Sequence, residues 1–201
     1  MQSFSEIDTM SKRASKAAGF SWGVAEEIGK AIRSLELFGL PGIKNLNLYL
    51  NKIKKNHPKK VNKVVKENKN KELCPIYCGV AFLDQCQKLE ALKKIKFYNV
   101  NYPILILPFI SKASEIVGKK IFMKFNKSSF LINFNKSILS KNLEKKVIAS
   151  VDEINIEFLE NKNSFSDQEW TELYKLPEKT FVEENDSLKT KGAGAGLTDN
   201  D

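Results

Sequence analysis

Apolar residues in the first third of the chain recur with the spacing of α-helices. This pattern predicts helices over residues 3–18, 21–38 and 44–55. Ser3 and Glu6 form a capping-box pattern at the first start, and Ser21 is a suitable N-cap for the second. The three helices make up a predicted helical layer over residues 1–56, and a lysine-rich connector over residues 57–72 follows it.

After residue 73, short apolar segments rich in β-forming residues replace the helical pattern. They predict strands over residues 76–83, 95–107, 120–125, 129–134, 146–151 and 153–158. Asn126, Lys127 and Ser128 have the composition of a hairpin turn between two of these strands. One short helix, residues 111–117, interrupts the series. Residues 73–160 are therefore predicted to form a β-rich core.

The clearest helix start in the chain is at Ser166, which can cap a helix with Glu169 at its third position. Phe165 can contact Trp170 across this start. The pattern predicts a C-terminal helix within residues 164–180 and a glycine-rich tail over residues 187–201. Taken together, the elements predict a single α+β domain, with an N-terminal helical layer packed on a mainly antiparallel sheet.

The formal net charge of +9 is distributed unevenly along the chain. Residues 44–72 contain ten lysines and two glutamates, which is +8, whereas residues 152–186 contain eleven acids and three lysines, which is −8. Only Arg13 and Arg33 are arginine, and proteins that read nucleic acids rely on arginine and aromatic stacking. The lysine-rich segment is therefore interpreted as a solvated connector, with weak attraction to polyanions as the alternative.

Several features favour a cytoplasmic protein. No run of about 18 uncharged apolar residues is present, and the N-terminal sequence MQSFSEID has no export signal. Three cysteines at low density argue against a disulfide-stabilised fold, and buried small side chains are the default interpretation for all three. Cys74 is the one candidate nucleophile among them. No metal site is predicted, because His57 is the only histidine.

The second predicted helix carries an unusual stripe opposite its apolar face. Trp22, Glu26, Gly29 and Arg33 share this stripe, and Lys30 lies beside it. A binding surface is one interpretation, with Arg33 holding a carboxylate or phosphate while Gly29 allows close approach. The alternative is an ion pair of Glu26 with Lys30 or Arg33, with Trp22 packed under a loop.

The chain ends in GAGAGLTDND. The five residues after the last glycine are too few for the helix of a Rossmann fold, and the Gly-Lys-Ser/Thr of a P-loop is missing, so no nucleotide-cofactor motif is recognised. A thin extended segment with a negatively charged tip is one interpretation, and a mobile polar terminus is the other. Mg²⁺ at the tail aspartates is conceivable but has no further support. The candidate residues are Gly192, Gly194, Gly196, Asp199, Asn200 and Asp201.

Three motifs together resemble a known family. They are GFSWGVAEEIGKAIR at residues 19–33, CPIYCG at residues 74–79 and the GAGAGLTDND terminus. The combination is similar to an uncharacterised proteobacterial family that is known only as a domain of unknown function. The resemblance implies that the tail is a family feature and that the lysine-rich connector is compositional drift. It implies no activity, cofactor or catalytic residue.

Two hypotheses about function follow. In the first, a small anionic metabolite binds between the Trp22–Arg33 helix and the C-terminal tail. In the second, the protein is a non-catalytic accessory subunit whose tail docks into a partner or a neighbouring subunit. The sequence leaves open whether the protein is an enzyme. Candidate acids, bases or nucleophiles are Glu26, Cys74, Asp199 and Asp201.

Overall fold

Six α-helices lie within the residues that the structure describes, which in this computed structural model are 2–54, 56–69, 72–143 and 147–180. The helices are α1 (Phe4–Ala17), α2 (Trp22–Leu37), α3 (Gly42–Ile53), α4 (Pro75–Leu89), α5 (Leu107–Val117) and α6 (Asp167–Lys175). The strands are β1 (Glu67–Asn68), β2 (Lys94–Asn101), β3 (Ile121–Phe125), β4 (Ser128–Asn133), β5 (Ser137–Lys141) and β6 (Ser150–Phe158). Short 3₁₀ segments occupy Glu90–Leu92, Pro103–Ile106 and Leu176–Thr180.

The predicted starts of α1 and α2 are confirmed by their side-chain caps, whereas α3 begins two residues before its predicted start, at Gly42, and has no side-chain cap. Ser3 Oγ accepts a hydrogen bond from the backbone N–H of Glu6 at 3.2 Å, and the Glu6 carboxylate accepts one from the Ser3 N–H at 2.8 Å. Ser21 Oγ accepts from the N–H of Val24 at the start of α2. Such caps satisfy N–H groups that have no partner within the helix, so the caps fix where each helix begins.

Helix α6 also begins with a side-chain cap. Ser166 and Glu169 form a complete capping box, and the rings of Phe165 and Trp170 lie 5.5 Å apart. Both features were expected from the sequence. This helix belongs to the second of two compact units, which begins at Lys162, whereas α1–α5 and all six strands belong to the first. The single predicted domain stays a prediction.

The strand predicted over residues 76–83 is wrong, because these residues belong to helix α4. Ile76, Cys78 and Phe82 are all buried. They do not share one stripe, since α4 contacts α2 and α5 as well as the sheet. A helix covered on several sides has apolar residues around its whole circumference, and over eight residues that pattern resembles a buried strand.

The strand predicted over residues 95–107 is too long. Strand β2 ends at Asn101, and Tyr102 then adopts a left-handed conformation with φ of 42°. Pro103, which lacks a backbone N–H, begins the 3₁₀ segment, and α5 starts at Leu107. The helix predicted over residues 111–117 is therefore confirmed, although it begins four residues earlier.

The strands form one six-stranded sheet in the order β1-β2-β6-β3-β4-β5. All neighbours are antiparallel except β1 and β2, which are parallel. The β3–β4 hairpin turns at Asn126 and Lys127, as predicted. A single strand, β6, replaces the two strands predicted over residues 146–158, and β5 was not predicted. The mainly antiparallel sheet and the helices confirm the α+β class.

The core of the first unit lies between the sheet and the helices. Helices α4 and α5 contact both α2 and the sheet, so they separate the N-terminal helices from most of the strands. The ring of Phe82 in α4 stacks on Phe158 in β6 with centroids 5.8 Å apart. One opening interrupts this packing, where the end of α3 meets the last residues of β2 and the first of β6.

Candidate functional site

The predicted stripe on α2 lies on the protein surface. Glu26, Lys30 and Arg33 are exposed, and 57% of Trp22 is accessible to solvent. The ammonium group of Lys16 in α1 lies 5.4 Å from the centre of the Trp22 ring, which is a cation–π contact. Trp22 therefore contacts the Lys16 side chain of α1, and it is not covered by a loop.

The cations of this stripe pair with acids other than Glu26. Arg33 Nη1 lies 3.6 Å from Asp8 Oδ2 in α1, and Lys30 Nζ lies 2.9 Å from Glu27 Oε1. Glu27 also pairs with Lys112 at 3.1 Å. Partial burial acts to raise the pKa of Glu27, but the hydrogen bonds from both lysines hold it below its usual value. These pairs join α2 to its neighbours α1 and α5.

Gly29 permits the close approach of a helix. A β-carbon at Gly29 would lie 2.5 Å from Asp8 Oδ1 and 2.7 Å from the Asp8 carbonyl oxygen. Real side chains do not occupy such positions, so any larger residue would push α1 away from α2. The space beside Gly29 is therefore filled by α1. The side chains of the stripe are thus exposed on the outside, and α1 packs against the helix at Gly29.

Cys74 is the N-cap of α4 and not the start of a strand. Its Sγ accepts a hydrogen bond from the N–H of Tyr77 at 3.4 Å. Burial raises the pKa of the Cys74 thiol to about 11, so the thiol is protonated at neutral pH. Cys78 and Cys86 are also buried and free, in agreement with their interpretation as small core side chains.

The predicted tail residues, from Gly192 to Asp201, lie outside the described residues. The ligand site predicted between the α2 stripe and the tail thus stays a prediction. Among the residues that the structure does describe, no group of three or more histidine, cysteine, aspartate or glutamate side chains is placed to hold a metal ion. No helix within the described ranges is long and apolar enough to cross a membrane.

The opening at the end of α3 is a cavity of about 740 Å³ in the first unit. Four separate stretches of chain form its wall: the last turn of α3 with the loop after it, the segment that enters α4, the end of β2, and the start of β6. The side chains that matter for its chemistry are Tyr49, Lys52, His57, Glu72, Asn101 and Asp152. We call this the Lys52 cavity.

A hydrogen-bonded cluster closes one side of the Lys52 cavity. Lys52 Nζ donates to Glu72 Oε1 at 2.6 Å and to Asn101 Oδ1 at 2.7 Å. The hydrogen bond from Lys52 holds the pKa of Glu72 below its usual value. Asn101 is only 5% exposed, whereas the side chains of Lys52 and Glu72 are 44% and 57% exposed. The charged Lys52–Glu72 pair therefore lies at the solvent-exposed mouth of the cavity, and Lys52 also contacts the buried amide of Asn101.

Tyr49 contributes a buried hydroxyl group to the same wall. The residue is 1% exposed, and its phenol oxygen has no hydrogen-bond partner of ordinary geometry among the described residues. The neighbouring thiol of Cys74 offers only a weak acceptor. Burial raises the pKa of Tyr49 far above its usual value, so the group stays a donor. A buried hydroxyl group without a good partner is uncommon in folded proteins.

The lysine-rich connector forms the outer wall of the cavity. The His57 ring packs against Phe20 at 5.0 Å, and Val64, only 4% exposed, donates a backbone hydrogen bond to Gln85 in α4. The connector was interpreted as solvated, but these contacts anchor it to the core. Val61 and Val64 among the lysines were the available sequence signal for this packing.

The helical layer has a counterpart among known protein families. Residues 2–74 match the model of the family described as Protein of unknown function (DUF3726). The predicted resemblance to a domain of unknown function is thereby confirmed. The match covers α1–α3, the connector and Cys74, so it includes the α2 stripe and most of the helical side of the Lys52 cavity. Neither the curated proteins nor the solved structures contain a match to this chain.

Proposed function

We propose that this protein binds a small metabolite with an anionic group, and that the Lys52 cavity is its binding site. The volume of about 740 Å³ supports this proposal, because ligand sites typically measure about 300–1,000 Å³. Ligand sites also combine an apolar wall with a few polar groups. Ile53, Leu73 and Val151 supply the apolar part here.

The single observation that carries the proposal is the buried Tyr49 hydroxyl group. The neighbouring Cys74 thiol is only a weak acceptor, and buried donors without a good partner are uncommon in folded proteins, so this hydroxyl group calls for an explanation. Because Tyr49 forms part of the cavity wall, we expect an oxygen of the ligand to accept this hydrogen bond after a small movement of the wall, since the hydroxyl group is closed to solvent in the free protein.

The charges around the cavity support an anion as the ligand. Lys52 and Lys59 both line the cavity, and the adjoining connector adds further lysines, which gives residues 44–72 a charge of +8. Such a field raises the local concentration of small anions. Two carboxylates, Glu72 and Asp152, also lie in the wall. They limit how many negative charges the ligand can carry inside the cavity.

The test is a thermal-shift screen of the full chain against carboxylate and phosphate metabolites. A hit should stabilise the wild type and lose at least about tenfold in affinity for Lys52→Met, because a charged hydrogen bond contributes about 1.5–3 kcal/mol. Lys60→Met is the matched control, since Lys60 belongs to the same connector but not to the cavity wall. Equal losses of affinity in both variants would show that the positive charge of the whole segment attracts the ligand, without a specific contact at Lys52.

The site formed by the α2 stripe and the tail is a second location for the same ligand class. The exposed Trp22 and Arg33 side chains are compatible with it. Arg33→Ala, or deletion of residues 197–201, should abolish ligand stabilisation if this location is correct. The alternative function, an accessory subunit, predicts that the same deletion releases a bound partner or a neighbouring subunit and leaves ligand binding intact.

We further propose that the protein is cytoplasmic and does not act on nucleic acid. All three cysteines are free thiols, which fits a reducing compartment. Binding to polyanions through the connector would instead give an affinity that collapses between low and physiological salt.

A further inference from the structure

Glu72 lies beside the Lys52 ammonium group in the wall of the Lys52 cavity. Its carboxylate accepts a 2.6 Å hydrogen bond from Lys52, and Lys52 in turn contacts the buried Asn101. A short bond of this kind is typical of a charge-assisted pair. The contact between Lys52 and Glu72 is therefore an example, within the chain itself, of how Lys52 binds a carboxylate in this cavity.

The backbone beside Glu72 is fixed, but its side chain is not enclosed. Leu73 donates to the Asn99 carbonyl oxygen at 2.8 Å and accepts from the Asn101 N–H at 3.3 Å, which ties the segment to β2. In contrast, more than half of the Glu72 side chain is exposed. Rotation about its side-chain bonds can thus move the carboxylate into solvent without any movement of the backbone.

The cost of that movement is small. An exposed ion pair between lysine and glutamate adds little net stability, because water solvates both groups well when they separate. Asn101 would stay in place, since it is buried and its backbone belongs to β2. A ligand anion can therefore replace Glu72 at Lys52 and at the Asn101 side chain, which also hydrogen-bonds the Glu72 carboxylate, and keep the rest of the wall unchanged.

We infer that Glu72 is an internal competitor: its carboxylate occupies the position in which the anionic group of the ligand binds Lys52. This inference rests on the proposed function, because it concerns the same cavity. It makes Glu72 a residue that sets affinity and favours ligands able to displace a carboxylate. Removal of the Glu72 charge should consequently strengthen the binding of simple anions.

The experiment is an NMR titration of the full ¹⁵N-labelled chain with sodium acetate and with sodium phosphate, against sodium chloride at equal ionic strength. The backbone N–H signals of Leu73 and Asn101 report on the cavity. Glu72→Gln should bind the probes about tenfold more tightly than the wild type, as expected when a neighbouring like charge is removed. Asp152→Asn is the matched control, because it also removes one negative charge from the same wall.

Each outcome decides a different point. A gain confined to Glu72→Gln supports the inference. Equal gains in Glu72→Gln and Asp152→Asn overturn it, since charge alone then explains the effect, and the proposed function stands. Binding that is unchanged in Glu72→Gln also overturns it. If neither the wild type nor Glu72→Gln shifts these signals with either probe, the cavity does not bind anions, and the proposed function fails as well.

Discussion

The α2 stripe and the Lys52 cavity carry similar side chains, with cations next to carboxylates and an aromatic residue nearby. They differ in what lies behind these groups. Behind the stripe, Gly29 is in direct contact with Asp8, and Arg33 pairs with the same residue. Behind the Lys52–Glu72 pair there is a cavity of about 740 Å³ and a hydroxyl group without a good partner. Residue types alone therefore do not identify a site; the space beside them does.

The largest effect on stability is expected at Gly29. Gly29→Ala should lower the free energy of unfolding by about 1–3 kcal/mol, because the added methyl group would overlap the Asp8 backbone and force α1 away. Urea denaturation measures this change. Gly23→Ala, in the same helix, is the control. It has open space at its β-carbon and should be neutral or stabilising by up to about 1 kcal/mol.

Equal stability of the two alanine variants would contradict this account of the stripe. It would mean that α1 is not tightly packed against Gly29, and the α2 face would again be open to a ligand.

A smaller effect on stability is expected from substitution of Tyr49. This substitution distinguishes a role of the hydroxyl group in ligand binding from a role in folding. Tyr49→Phe should change the free energy of unfolding of the free protein by less than about 0.5 kcal/mol, because no good hydrogen bond is lost. Affinity for a ligand found in the screen should fall by about two- to tenfold, as for one neutral hydrogen bond. Calorimetric titration and urea denaturation measure the two quantities. A large loss of stability with unchanged affinity would assign the hydroxyl to the core alone.

The smallest effect is the pH dependence that arises from Glu72. Its pKa is lowered in the folded protein by Lys52, so the pair stabilises the fold above the unfolded pKa of about 4.3, and this contribution is lost as the pH falls through the folded pKa. Because the pair is exposed, we expect at most about 0.5 kcal/mol. The difference in Tm between the wild type and Glu72→Gln should shrink as the pH falls from about 6 to about 3. A difference that grows on acidification would contradict the pairing.

Elements that begin with a local signal were predictable from the sequence. Ser3, Ser21 and Ser166 each cap a helix through a side chain within three residues, so neighbouring residues suffice to identify the start. Helix α4 was not predictable in the same way, because its apolar residues face several neighbours and lose the helical period. Strand β5 was missed since Ser140 and Lys141, exposed at the edge of the sheet, give no alternation.

The candidate site was less predictable than the fold. Single residues near the cavity were recognised, such as His57 and Cys74, but not their proximity to Lys52 and Asn101. The wall brings together segments around residues 49–61, 72–74, 99–101 and 150–152. Their proximity depends on the order of strands in the sheet and on the parallel pairing of Leu73 with Val100, and neither follows from a local pattern. The α2 stripe could be seen because one helix carries it.

The most direct test of the central claim, that the ligand binds in the Lys52 cavity, compares two cation substitutions. The measurement is the increase in Tm that a saturating hit from the anion screen produces in Lys52→Met and in Arg33→Ala. We predict that Lys52→Met strongly reduces this increase and that Arg33→Ala retains it. The reverse result, with the increase lost in Arg33→Ala and retained in Lys52→Met, would contradict the claim and move the site to the α2 stripe.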